Sequence, residues 1–422
     1  MDLAGSHTAA ARKERLTKLL DLAQTYRGWT RKELASQLRR DPTKLVPGSG
    51  LPKLDLVVDL ARVLDWPVSM VVETLWSGDL GEVDSYHGSD DEFIELDVQA
   101  VAAHREGRYD DMISIARRAY GIARTPEERA IASNREAGGY DGLGRYGEVL
   151  EAVQRGLRES NVSGETRLML QANLANAHYT LWQLVEARAT ALDLIDQFEA
   201  TPPRSRLQKV SHAFAYYVRG NSYRRLIAID PDHATTHARA AREDLLEARR
   251  LYDGLAEEFG DQSYAGVANT CQGALLEVDV TLGLETAEHA LDTYANGLDA
   301  IIEPADMPRG DLLESYGWWC IFACNVALRH LEDERSLQQH MAVFTNKADE
   351  IADFLDNWSI RERVFTMEFA RRQRLLDWTG LTPEWTIDKE DIRVISGTMG
   401  RFPAFQRTGW RILQTAKVVT EH

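Results

Sequence analysis

Leu143-Gly-Arg-Tyr-Gly-Glu-Val-Leu-Glu-Ala-Val-Gln-Arg-Gly-Leu157 decides the fold of most of this chain. It reads as one helix of a helical hairpin, entered through Gly144-Arg-Tyr146, and the same entry recurs as Gly107-Arg-Tyr109. Working outward, further hairpins fit residues 94–123, 127–159, 166–199 and 207–255. Two hairpins with weaker signatures cover 264–302 and 311–356, and 359–378 opens a seventh. Residues 389–399 and 402–419 read as a closing cap. Units of this kind cannot bury their apolar faces alone, so they must stack.

Small residues sit where the two helices of a unit would cross, as at Ala116, Ala137-Gly-Gly-Tyr140, Ala175 and Gly220, with an aromatic near the turn. In these features the chain resembles tetratricopeptide-repeat (TPR) proteins over about 320 residues, with unit length drifting from about 34 to above 40. The resemblance implies a right-handed all-α solenoid over residues 93–422.

The N-terminal part follows a different pattern. Residues 9–25 place Leu16, Leu19, Leu20 and Ala23 on one helical stripe, ended by Arg27-Gly28. Thr30-Arg-Lys-Glu33 is a capping box, and its helix turns Leu34, Ala35 and Leu38 inward. Asp41-Pro42 is expected to restart a short helix, cut off early by Pro47-Gly-Ser-Gly50. Leu54–Leu64 and Pro67–Leu75 supply two more. Five short helices in this order, with Trp-Thr-Arg-Lys-Glu-Leu-Ala-Ser-Gln-Leu as the second, resemble the XRE/lambda-repressor-like helix-turn-helix family over residues 1–80. The third element departs from that family, which carries a Glu and a Gly after a longer recognition helix. Residues 81–92, rich in Gly, Ser and acid, read as a linker.

Charge divides at the same border. The whole chain carries −17, yet residues 1–80 carry +2, leaving −19 for the rest. Residues 27–53 hold seven cations (Arg27, Arg31, Lys32, Arg39, Arg40, Lys44, Lys53) against Glu33 and Asp41. The helix-turn-helix resemblance and this local charge assign Arg31, Lys32, Arg39, Arg40, Thr43 and Lys44 to phosphates and base edges of duplex DNA. The competing reading is a helical bundle with a solvated basic face that serves dimerisation or partner docking.

Few other chemistries find residues to carry them. No phosphate-binding Gly-rich loop or His-Glu-x-x-His is present, and no catalytic, metal or cofactor site can be singled out, so an enzyme is not expected. His233 and His237 share an i,i+4 spacing without an obvious acidic or thiol partner, and read as loop histidines. Cys271, Cys320 and Cys324 are too few for a disulfide framework, and the adjacent pair reads as small core residues. No apolar run approaches the roughly 20 residues that span a bilayer, and no signal peptide is visible, so a cytoplasmic location is expected. With 40 arginines against 9 lysines, the composition suggests a GC-rich bacterial source.

Asparagines recur in the first helix of successive units: Asn134, Asn173 and Asn176, Asn221, Asn269, Asn325. In a TPR solenoid first helices line the concave groove, where an amide can clamp a peptide backbone through both donor and acceptor. Asn134, Asn173, Asn176 and Asn221, with Arg219 and Tyr223 beside them, are the expected peptide contacts. Arg219 suits a peptide carboxylate. The plainer reading makes these asparagines polar residues capping contacts between helices.

Head, linker and solenoid together resemble the RRNPP-type peptide-responsive regulators of bacteria. That resemblance implies a homodimeric, quorum-sensing transcriptional regulator whose peptide or protein ligand repositions the heads on a two-fold operator. A scaffold or adaptor with a degenerate head, in a phage or defence setting, is the alternative.

Overall fold

A computed structural model describes residues 3–66, 68–76, 90–299, 310–381 and 384–419. The chain divides into two compact units, Met1–Tyr86 and His87–His422. The expected linker falls on residues outside the described ones, except that residues 90–92 already belong to a helix.

The first unit holds α1 (Leu3–Arg27), α2 (Arg31–Gln37), α3 (Leu54–Leu64) and α4 (Val68–Trp76). Its core joins Leu16, Leu19, Leu20 and Ala23 to Leu34, Leu38, Leu45, Leu60, Val71 and Leu75. The capping box forms: Thr30 Oγ1 accepts the Glu33 amide, and Glu33 accepts the Thr30 amide.

One expectation fails here. No helix forms between Gln37 and Leu54, so the described part of this unit has four helices, not five. The physical reason is local. The Asp41 carboxylate accepts both the amide (2.8 Å) and the hydroxyl of Thr43, closing a turn on itself. Lys44 N–H then bonds Asp41 O, and Gly50 N–H bonds Pro47 O, so residues 41–50 run as successive turns. Leu45 pins the segment by plugging the core.

The second unit is an all-α solenoid. Its hairpins are α5 (Asp90–Arg105) with α6 (Tyr109–Ile122), α7 (Pro126–Gly142) with α8 (Tyr146–Leu157), and α9 (Gly164–Thr180) with α10 (Leu184–Ala200). Next come α11 (Arg206–Ile229) with α12 (Ala234–Phe259), α13 (Gln262–Thr281) with α14 (Ala287–Asp299), and α15 (Asp311–His330) with α16 (Glu334–Leu355). Then α17 (Trp358–Thr379), α18 (Lys389–Arg401) and α19 (Gln406–Thr415) close the chain. Two-residue strands, β1 (Thr386–Ile387) and β2 (Lys417–Val418), pair in parallel beside them, a feature the sequence reading lacks. Each hairpin's first helix packs on the first helix of the next, from α5 to α17. Close crossing needs small residues: a Cβ on Gly220 would lie 3.0 Å from Asp244 Cβ and from Leu245 Cγ.

The stack also returns on itself. Trp358 at the start of α17 lies against Gly144, whose φ of +65° and lack of a side chain let the two approach. Arg401 Nε donates to Leu143 O at 3.2 Å, and Ser359 Oγ lies 3.3 Å from Tyr146 Oη. The Arg363 guanidinium sits 5.0 Å over the Trp182 ring. The seventh hairpin therefore abuts the second and third.

Buried charge ties the middle of the stack. Glu277 on α13 is fully buried. It takes Arg224 Nη1 from α11 at 2.8 Å, Asn325 Nδ2 from α15 at 3.2 Å, and the Arg329 guanidinium from α15. Burial pushes its carboxyl up, but the Arg224 and Arg329 charges outweigh this and hold it below the usual range.

Candidate functional site

Three contiguous cavities open on the inner side of the solenoid, of about 270, 240 and 300 Å³. Asp141, near the end of α7, borders all three.

The first cavity gathers Asn134, Asn173 and Asn176 with Met112, His104 and Gly138. Asn173 Nδ2 donates to Asn134 Oδ1 at 2.8 Å, and Asn134 Nδ2 points at Met169 Sδ. Asn176 Nδ2 reaches Asp141 Oδ1 at 3.2 Å. Three of the six residues read from the sequence as peptide contacts thus share one cavity.

The other three lie elsewhere. Asn221 is 1% exposed, donates to Tyr217 O and accepts from Arg224 Nε. Arg219 grips Asp244 with two parallel bonds of 2.8 and 2.7 Å, so its carboxylate partner is internal. Tyr223 lies between the Arg188 guanidinium and the His237 ring. Two further asparagines also have internal partners: Asn269 bonds Ser315, and Asn325 bonds Glu277.

Apart from Asn176 on the second, the second and third cavities are bordered mostly by residues that the sequence did not single out as site residues. Asp311 and Glu314 come from α15, Tyr146 from α8, Ser359 from α17. Phe214, Tyr217 and Trp318 add aromatic surface to the second, Tyr109 and Trp358 to the third. Asp141 is open to the cavity yet ringed by protein; that burial, with Glu314 nearby, raises its carboxyl to about 7. Burial likewise raises Glu314, which accepts Trp318 Nε1–H at 3.0 Å, and Asp311. Among the described residues none of the three carboxylates forms an ion pair. Among the described residues the one guanidinium on the second cavity is Arg225, which donates to Tyr179 O and is sandwiched between the Tyr179 and Trp182 rings. Burial lowers it to about 10, so it stays charged at neutral pH.

No local signal marks Asp141 or Glu314. They meet because the stack curves, and curvature has no short-range signature in sequence.

On the first unit, Arg31, Lys32, Arg39, Thr43 and Lys44 are exposed along one stretch of chain, while Arg40 is half-buried against Asp55. Arg31 Nε donates to Pro42 O at 3.3 Å. Arg39 holds a left-handed φ of +52° that ends α2. These side chains ride on turns and on the short α2, not on a recognition helix.

Other sequence candidates resolve simply. All three cysteines are fully buried with their thiols pushed up by burial. His233 and His237 do have an acidic partner: Asp230 bonds both, at 3.1 and 3.0 Å, and is held below its usual range by those bonds. No cluster among the described residues could hold a metal ion, and no described helix is long and apolar enough to cross a membrane.

No family model matches this chain, and no curated protein matches it. Among solved structures it is similar to Bacillus thuringiensis PlcR in complex with the peptide PapR7 and DNA. The identity is 14% and the TM-score 0.36, over 68% of this chain and 95% of that one. So loose a superposition carries neither the peptide nor the DNA of that complex to this chain.

Proposed function

We propose that this chain is a non-enzymatic regulator: its solenoid binds a short peptide or protein segment on the inner surface, and its N-terminal unit contacts duplex DNA. The observation that carries the reading is the meeting of Asn134, Asn173 and Asn176 on one cavity that continues past Asp141 into two more. Paired amides over an elongated cavity suit a peptide backbone, which offers a donor and an acceptor at nearly every residue. Asn221 and Arg219 have internal partners and are left out of the proposed contact set. A homodimer in the cytoplasm, with peptide binding coupled to the position of the heads, completes the proposal.

For the head, the exposed cations Arg31, Lys32, Arg39 and Lys44 support phosphate contact. A specific observation also favours the second reading, a protein-docking or dimerising head. Without a recognition helix, base readout lacks its usual vehicle. The unit also exposes Leu51, Leu54, Val68, Met70 and Val72.

Two experiments test this. In a thermal-shift screen with random peptide pools, an Asn173→Ala/Asn176→Ala variant is expected to lose the response of the wild type; an unchanged response removes the groove from these residues. In a shift assay with genomic fragments at low salt, absence of any complex removes the DNA reading and leaves the docking head.

A further inference from the structure

The central cavity has a charge problem that the asparagines do not solve. Asp141, Asp311 and Glu314 converge there from α7 and α15 without an ion pair among the described residues, against Arg225 as the one cation on that cavity. Elsewhere in this solenoid three deeply buried carboxylates are matched: Glu277 has Arg224 and Arg329, Glu136 has Arg117 and Arg155, Asp244 has Arg219. The pattern of neutralised interior acid breaks at this cavity.

A second observation is independent of the acids. Thr180, at the end of α9, is 7% exposed, borders the same cavity, and its hydroxyl makes no hydrogen bond within the described protein. Tyr217 borders the same cavity, and its hydroxyl is likewise unbonded within the described residues. Both residues border a space that Phe214, Trp318 and Tyr146 also line, and no hydrogen bond within the described residues uses either hydroxyl. Hydroxyl oxygens, carboxylates and aromatic faces are the three surfaces that receive an organic cation.

Resting on the peptide-groove reading above, we infer that the ligand places a cationic group, an ammonium or guanidinium, among Asp141, Asp311 and Glu314, with Thr180 and Tyr217 accepting its remaining hydrogens. The asparagine cavity then holds neighbouring backbone of the same ligand, because Asn176 and Asp141 border both spaces. The cation has two chemical sources, the free amino terminus of the peptide or a Lys or Arg side chain.

Binding then depends on pH in a defined direction. The titratable groups that border these cavities with Asp141 are Glu314 and Asp311 of α15, His104 of α5, Tyr109 of α6, Tyr146 of α8, Tyr179 of α9, and Tyr217 and Arg225 of α11, together with Arg135 of α7 and Asp356, which are already paired with Asp97 and Arg361. With Asp141 raised to about 7 by burial and by Glu314, its carboxylate fraction grows between pH 6 and pH 8. Burial lowers His104, so that imidazole is neutral across most of this window. Burial also raises Tyr109, Tyr146 and Tyr217, which stay neutral there. A cation is therefore held more tightly at pH 8.

The test is affinity selection on the full chain with synthetic pentapeptide libraries. One has free amino termini and a fixed lysine, one replaces lysine with norleucine, one is N-acetylated, and one carries both changes. The expected result is retention of cation-bearing peptides over the doubly neutral library by roughly tenfold to a hundredfold, the worth of a charge-assisted hydrogen bond. Loss on acetylation assigns the amino terminus; loss on norleucine replacement assigns the side chain. The preference should rise from pH 6 to pH 8 and vanish in Asp141→Asn/Glu314→Gln with peptide retention otherwise kept. Equal retention of charged and neutral libraries by the wild type overturns the cation pocket and leaves the peptide groove standing. No retention of any library overturns both. Because the wild-type selectivity and its pH trend are read without any variant, a misfolded double variant does not shelter the inference.

Discussion

Replacing Glu277 by alanine should be among the most damaging single changes in the solenoid. The carboxylate is fully buried and serves Arg224, Arg329 and Asn325, which belong to the first helices on either side of its own. Arg224 is 5% exposed, wedged between Asn221 and the Phe322 ring, and cannot swing out to water. Removing one partner of such a pair leaves a buried charge uncompensated, at a cost of about 3–5 kcal/mol. For a unit of about 330 residues, an unfolding entropy near 2.1 cal/mol/K per residue makes each kcal/mol worth about 1.4 °C. The melting midpoint by calorimetry should then fall by about 4–7 °C. Glu277→Gln keeps hydrogen-bonding capacity and should fall less. A second arm uses pH. Because the folded carboxyl lies below its unfolded value near 4.3, its contribution is full above that value and is lost as pH falls through the folded one. The wild type should therefore lose more stability than Glu277→Gln on going below about pH 4. A midpoint of Glu277→Ala within about 1 °C of wild type, far below the shift worked from the buried-pair cost, would refute the reasoning. So would a Glu277→Leu/Arg224→Leu double variant no more stable than Glu277→Leu, because the penalty is assigned to the orphaned guanidinium.

Further outcomes follow from features of both units. If the head binds DNA through Arg31, Lys32, Arg39 and Lys44, the log–log salt slope should be near −3.6, about a hundredfold weakening from 50 to 200 mM salt; a flat salt dependence in a filter-binding titration contradicts phosphate contact. Arg39→Gly should stabilise the first unit by about 0.5–1 kcal/mol in denaturant melts, because glycine accepts the +52° φ without a Cβ clash, while weakening any DNA complex. Gly144→Ala should destabilise the second unit by about 1–3 kcal/mol, since its Cβ would lie 2.9 Å from Trp358 Cβ at a φ of +65°; an unchanged melt would mean the contact yields freely. Tyr294→Phe should cost about 1 kcal/mol by removing the hydrogen bond that the buried Tyr294 hydroxyl donates to the Gly273 carbonyl at 2.7 Å.

Most helices were legible because their cause is local. Apolar periodicity placed Leu54–Leu64 at its observed bounds, and Thr30 with Glu33 announced the start of α2. The missing helix after Asp41 shows the limit of the same logic. A side chain that caps a helix and one that closes an isolated turn make the same bond to an amide two or three residues on. Only the continuation decides, and Pro47 withdraws it. The asparagine pattern was visible as a recurrence, but the sequence could not tell Asn176, beside a cavity, from Asn221, sealed against Arg224. That difference depends on which way each first helix is rolled against its neighbours. Asp141, Asp311 and Glu314 were illegible for a stronger reason: their proximity is created by the return of α17 toward α8, a property of the whole stack.

That return has a consequence for how the protein comes apart. A linear stack frays from its termini, each repeat leaving without much disturbing the rest. Here Trp358, Ser359 and Arg401 fasten the last hairpin to Gly144, Tyr146 and Leu143 near the beginning. In this unit α5, α6 and α7 precede that fastening. Stepwise C-terminal truncation should therefore give an abrupt loss of protease resistance once α17 is cut, in place of the graded series an open stack would show. Hydrogen exchange at α8 should respond to a deletion made more than two hundred residues downstream.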